Sequence, residues 1–190
     1  MTFASIVKLF SSTSHNTSLE DRVGELSLFV ARSTWCCDWL AVLRQDVIPS
    51  IKHGNLLMLM NGDNVCGFVT FARLLPETER RLFDDNSTWL HISEWNEGNS
   101  LWLRSSLLRS EALRALLKVL ESQPFGLEQS IRHTRIRAGR IEYRELPLRT
   151  IKRWADRALR SADPARYYSY QPAGVDANEP WRLRNEIKHI

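Results

Sequence analysis

At 190 residues and 43% hydrophobic content, the chain is long enough to bury one substantial core and too short for several domains. Its 26 Lys and Arg outnumber 22 Asp and Glu by four, and the excess is local. Residues 131–160 hold ten bases against three acids (Glu142, Glu145, Asp156), which leaves the remainder at −3. This excludes a uniformly basic nucleic-acid coat and points to an acidic partner or a solvated basic face.

Residues 1–17 are rich in Ser, Thr and Asn and read as a flexible N-terminal arm, and 163–190 as a C-terminal tail packed on the surface. Between them, residues 18–162 form the expected domain. Ser18 ahead of Glu20 and Asp21 marks a helix start, and Leu19, Val23, Leu26 and Val30 carry helical spacing to about residue 32. Two tryptophans then bracket a cysteine pair and an acid (Trp35-Cys36-Cys37-Asp38-Trp39). A second helix is predicted from Asp38 towards Asp46, burying Trp39, Leu43 and Val47, with Pro49 either opening a short turn or kinking it.

Leu56–Met60 and Val65–Leu74 read as a hairpin around Asn61-Gly62-Asp63-Asn64. Residues 75–86 suggest a short helix or an excursion, and Trp89-Leu90-His91-Ile92 another strand. The stretch that organises the rest is Trp95–Leu108. A turn at Asn96–Asn99, with positive φ expected of its Asn and Gly, feeds Leu101-Trp102-Leu103, a central strand broken at Arg104-Ser105-Ser106. Serines there imply either a sheet that splays open or hydroxyls facing a cleft. A helix capped by Ser110 follows, with Ala112, Leu113, Leu116, Leu117 and Leu120 as its apolar stripe. Thr134–Arg144 reads as one basic strand bent at Gly139, and Leu148, Ile151, Ala155 and Leu159 as the inner stripe of a last helix whose outer face carries Arg149, Arg153, Arg157 and Arg160.

A hairpin followed by strand, helix and strand is the plan of an α/β, N-acetyltransferase-like domain, with a mixed, mainly antiparallel, splayed central sheet flanked by helices. The glycine-rich coenzyme A loop common in that superfamily is missing. Three cysteines, two of them adjacent, build no disulfide framework and fit a reducing compartment. No apolar run reaches membrane-spanning length and residues 1–20 show no secretory pattern, so a cytoplasmic location is expected. Five histidines without paired spacing give no metal site.

The order of several short motifs resembles the toxin-activating lysine acyltransferases that switch on RTX toxins. The motifs are Val23-Gly24, Asp38-Trp39, Ile48-Pro49-Ser50-Ile51, Trp95-Asn96-Glu97-Gly98-Asn99-Ser100-Leu101-Trp102, Ser130-Ile131-Arg132 and Arg140-Ile141-Glu142-Tyr143-Arg144, spanning about two thirds of the chain. The resemblance implies transfer of a fatty acyl group from an acyl carrier protein to internal lysines of a partner protein, with the carrier as co-substrate and no bound cofactor. The family's catalytic His falls on Cys36 and its catalytic Asp on Ser105; both residues differ here.

Each candidate has two readings. Cys36 is either a nucleophile for thioester exchange or a small buried apolar residue between two tryptophans. Ser105 either binds a substrate group or merely ends a strand, and Cys36 and Ser105 are expected to face one cleft. His91 and Glu94 form either a displaced acid–base pair or part of an exposed strand. Trp39 and Trp102, with Arg132, Arg135, Arg137 and Arg140, are the candidate substrate- and carrier-binding residues, arginine being suited to phosphate and carboxylate. A catalytically silent relative that binds a carrier or partner protein, and a small basic nucleic-acid-binding protein, are the alternatives. Nucleic acid is the less favoured ligand, because aromatic residues are not interleaved with the arginines beyond Tyr143. A homodimer is left open.

Overall fold

A computed structural model describes residues 5–9, 18–33, 39–84, 89–121, 130–137, 140–160 and 167–170. Helix α1 (Leu19–Ala31) opens with the capping signal read in the sequence: Ser18 Oγ accepts from Asp21 N and Asp21 Oδ2 accepts from Ser18 N, both at 3.1 Å. Such a reciprocal cap stabilises a helix by about 1 kcal/mol. The next helical stretch continues past Pro49, in three parts. They are α2 (Trp39–Val42), a π-helical turn (Leu43–Val47) and α3 (Ile48–Lys52). Pro49 cannot donate a backbone hydrogen bond, and the Ile48 N–H reaches back five residues to Leu43 O. The chain meets proline by widening the preceding turn, so the expected kink is replaced by a π bulge.

Strands β1 (Ser5–Leu9), β2 (Leu56–Asn61), β3 (Asn64–Leu74), β4 (Ser100–Arg109), β5 (Ser130–Arg137) and β6 (Arg140–Pro147) lie side by side in sequence order. Every pairing along this path is antiparallel except β4 with β5. The sheet is open, mixed and mainly antiparallel, with helices on its faces, as the element order predicts. The β2–β3 turn places Gly62 at φ 60°, the left-handed geometry that glycine adopts without strain.

Four expectations are corrected. The 89–92 segment is no strand; the chain there enters a 3-10 turn (Ile92–Trp95), because a capping box at His91 and Glu94 satisfies its first N–H groups locally. The central strand does not stop at Ser105 but runs on to Arg109, its serines held by partners on β3. The basic segment is a hairpin of β5 and β6, not one bent strand; period-two alternation runs equally through both arms, and Gly139 lies outside the described residues. Both terminal regions, read as arm and tail, contribute strands: β1 pairs with β2, and β7 (Tyr167–Tyr170) pairs antiparallel with β4.

The sheet forks at β4. Trp102 and Arg132 are the register pair joining it to β5, whereas residues 106–109 on the same strand pair with β7. On one face, helix α5 (Ala112–Glu121) and helix α6 (Leu148–Arg160) bury Leu113, Leu116, Leu148 and Ala155 against Leu57, Val69 and Phe71. On the other, α1 and the 39–52 segment bury Leu26, Phe29, Val42 and Val47 against Leu56, Met58 and Phe68. Helix α4 (Pro76–Asp84) and the 3-10 turn enclose a third cluster around Trp95 and Trp102.

The turn before β4 is pressed onto the end of β3. The N–H groups of Glu97 and Gly98 both donate to Arg73 O at 3.0 Å, and Arg73 bridges to Asn96. Gly98 is required for this close approach and not for a positive φ: a Cβ there would overlap the Leu74 carbonyl and lie 2.5 Å from Leu75 N. Backbone cannot move aside as a side-chain tip can. Gly98→Ala is therefore expected to destabilise the fold by about 3 kcal/mol, read as a fall in thermal midpoint of about 10 °C. An unchanged midpoint would show that the turn does not need to pack this tightly.

Candidate functional site

The most unusual chemistry in the described core lies where β3 and β4 fall out of register. Thr70 pairs with Ser105 and Phe71 with Leu103, so Arg104 is the extra residue of a β-bulge. The consequence is a slip in side-chain alternation. Leu101 and Leu103 pack towards α5, but beyond the bulge Leu107 packs towards α1 and Leu108 takes the α5 side. Arg104 and Ser105 thereby both address the face covered by residues 39–52.

Arg104, 2% exposed, meets Asp46, 0% exposed, in the π turn. Its Nε and Nη2 donate to Asp46 Oδ1 at 3.2 and 3.1 Å, and its guanidinium stands 5.9 Å from the centre of the Trp95 ring. Asp46 Oδ2 and Trp95 Nε1 have no hydrogen-bond partner among the described residues. Burial pushes the Asp46 carboxyl above the usual carboxylate range; the Arg104 charge and, to a smaller extent, the Ser105 hydroxyl oppose the rise. Ser105 is itself fully buried. Its hydroxyl lies 2.9 Å from Thr70 Oγ1, which also accepts from Ser105 N at 2.9 Å. Ser105, read as facing a splay or cleft, thus belongs to a buried polar knot.

Cys36 lies outside the described residues, as do Cys37 and Asp38. Trp39, where the description resumes, donates from Nε1 to Ser27 Oγ at 3.1 Å and packs 6.0 Å from Phe68, tying the start of α2 to α1 and β3. His91 and Glu94 are brought together, but through backbone: Glu94 Oε2 accepts from His91 N at 2.6 Å, while the His91 ring meets Ser93 Oγ at 2.9 Å. The Glu94 carboxylate is further engaged by Arg81, with Nη2 at 2.8 and 2.7 Å from its two oxygens.

Trp102 and Arg132 converge on another carboxylate. Glu79, buried in α4, accepts from Trp102 Nε1 at 2.6 Å and pairs with Arg132 Nη1. Arg132 also reaches Glu145 at 3.4 Å and Ser100 Oγ at 3.2 Å. The Trp102 ring joins Phe83 and Tyr143 in an aromatic cluster. Arg135 and Arg137 lie on β5 and Arg140 on β6. Among the described residues no group of His, Cys, Asp and Glu is arranged to hold a metal ion, and no helix is long and apolar enough to cross a membrane.

Asp46 escaped the sequence reading, which used it only to mark a helix end; its partner lies 58 residues away. Removing one member of a buried pair leaves an uncompensated charge, so Asp46→Ala is expected to cost about 3–5 kcal/mol in denaturant unfolding. Replacing the pair together, Asp46→Leu with Arg104→Met, should restore most of that loss. Equal destabilisation by the single and double variants would show that the pair does not act as a unit.

No family model matches the chain. It is similar to the RTX-II toxin-activating lysine-acyltransferase ApxIIC of Actinobacillus pleuropneumoniae, at 28% identity over 82 residues, or 43% of this chain and 51% of that protein. It is also similar to the leukotoxin-activating lysine-acyltransferase LtxC of Aggregatibacter actinomycetemcomitans, at 27% identity over 114 residues, or 59% of this chain and 67% of that protein. The match to the first thus spans about half of the relative's length. The chain is a distant, family-level relative of the toxin-activating lysine-acyltransferases.

Proposed function

We propose that the protein is an acyltransferase that moves a fatty acyl group from an acyl carrier protein to lysine side chains of a partner protein. The observation that carries this reading is the relation to two toxin-activating lysine-acyltransferases.

Cys36 is the nucleophile in this scheme. Its thiolate attacks the thioester carbon, the acyl group moves to Cys36 sulfur, and the carrier thiol leaves with a proton. A lysine amine of the acceptor then attacks the new thioester, forming an amide and releasing the Cys36 thiol. The proton lost by the amine passes by way of a carboxylate to the departing Cys36 sulfur. Asp38 suits this role better than Glu94, whose oxygens already accept from Arg81 and from the His91 N–H. Cys66 is a poor competitor, because burial pushes its thiol up to about 11 and its Sγ donates to Leu59 O.

A second reading, a relative that binds a carrier or partner without turnover, is favoured by the burial of Ser105 and its hydrogen bonds to Thr70. Intact-mass analysis after incubation with acylated carrier protein separates the two. An acyl-shifted enzyme that disappears in Cys36→Ala, with loss of lysine acylation, is the expected result. Full transfer by Cys36→Ala rules out the covalent route, and no transfer by the unmutated protein supports the silent binder.

A further inference from the structure

Resolving the basic segment into elements redistributes its charge. On β5 and β6, Arg132 is paired with Glu79 and Glu145, and Arg144 with Glu142. On α6 the situation is reversed. Arg149, Arg153, Arg157 and Arg160 are all exposed, and none of the four has a hydrogen-bond or ion-pair partner among the described residues. Their spacing places them within about 80° of one another around the helix, in a stripe about 16 Å long. Leu148, Ile151 and Ala155 occupy the opposite side and pack into the α5 cluster. Asp156, the acid on this helix, borders the stripe without pairing to it, and Trp154, 41% exposed, flanks it on the other side.

Helix stability does not account for this arrangement. Arg157 and Arg160, in the last turn, are favoured by the helix dipole, but Arg149 stands in the first turn, where the dipole disfavours a cation and no acid is present. Arg149–Arg153 and Arg153–Arg157 are like-charged neighbours four residues apart, which weakens a helix. An external acidic surface relieves both conflicts. A guanidinium row beside a half-exposed indole matches a protein helix with carboxylates at the same spacing and an apolar residue alongside. Nucleic acid fits less well, since the four arginines form one short stripe and the chain outside α6 carries no net charge.

We propose that the outer face of α6 is a docking surface for an acidic protein helix, and that its occupant is the acyl carrier protein of the reaction proposed above, on which this assignment of the partner rests. The β5–β6 arginine Arg132, committed to Glu79, then serves the fold and not the carrier.

The test measures affinity for the unacylated, phosphopantetheine-bearing carrier by titration calorimetry, alongside KM and kcat with the acylated form. Arg149→Glu/Arg153→Glu/Arg157→Glu is expected to weaken carrier binding by about tenfold or more and to raise KM with kcat little changed. The three-lysine variant at the same positions should stay within about threefold, and binding by the unmutated protein should fall steeply with salt. A control with the same charge change elsewhere, Arg32→Glu/Lys52→Glu/Arg80→Glu, should also bind within about threefold of the unmutated protein. Thermal midpoints confirm that each variant is folded. Carrier affinity and KM untouched by the glutamate triple would overturn the docking surface while leaving acyl transfer standing. Carrier binding through the stripe without any acyl transfer would uphold it and overturn the enzyme reading. Equal weakening by the control triple, or a stripe that binds single-stranded RNA and not the carrier, would also overturn it.

Discussion

Arg104 places a permanent charge in the middle of the central strand, where water cannot reach it. A guanidinium in that position must be answered by the protein, and the cost of leaving it unanswered is several kcal/mol. Much of the surrounding architecture follows from this demand. The β-bulge turns the side chain out of its expected alternation, and the π turn presents Asp46 to it. Trp95 closes over the guanidinium and is held through its carbonyl by Asn55 Nδ2 at 3.1 Å. Two local irregularities far apart in sequence are thus halves of one electrostatic solution.

A second carboxylate plays a comparable part at the fork. Glu79 holds Trp102 from the centre of the sheet and Arg132 from the first strand beyond it, so α4 clamps β4 to β5 where they share one register pair. Tyr143 donates to Leu82 O and packs edge-on against Phe83 at 4.0 Å, bringing β6 into the same clamp. Trp102 and Arg132, two of the candidate binding residues in the sequence, here hold two sub-sheets together. Among the described side chains of the basic segment, the arginines of α6 are the ones with charge to offer.

What the sequence disclosed was local chemistry. The Ser18 cap, the Asn-Gly-Asp-Asn turn and the leucine stripe of α5 each depend on residues within one or two turns of each other, and each appears where its pattern lies. What it concealed depended on distant partners. Nothing near Asp46 distinguishes a buried ion-pair carboxylate from a helix-end acid, because Arg104 is 58 residues on. Gly98 looked like a residue chosen for its φ, yet its constraint is the Leu74 backbone of another strand. Terminal strands of four or five residues carry too little periodicity to be told from a tail. Of the candidate site, the segment around Trp95–Leu108 was rightly singled out as central, whereas the carboxylates that organise it were not.

The shared edge of β4 has a consequence for the order in which the chain becomes ordered. Residues 106–109 lie at the heart of the sheet, but their second hydrogen-bonding partner is residues 167–170. During synthesis the antiparallel neighbour β3 is already present when β4 emerges, while that far edge stays open until about sixty further residues have left the ribosome. For that interval the nascent protein carries an unpaired, leucine-rich strand edge of the kind that templates wrong pairings between chains. Late closure by a short distant strand makes the assembly kinetics of this domain depend on its most remote described element.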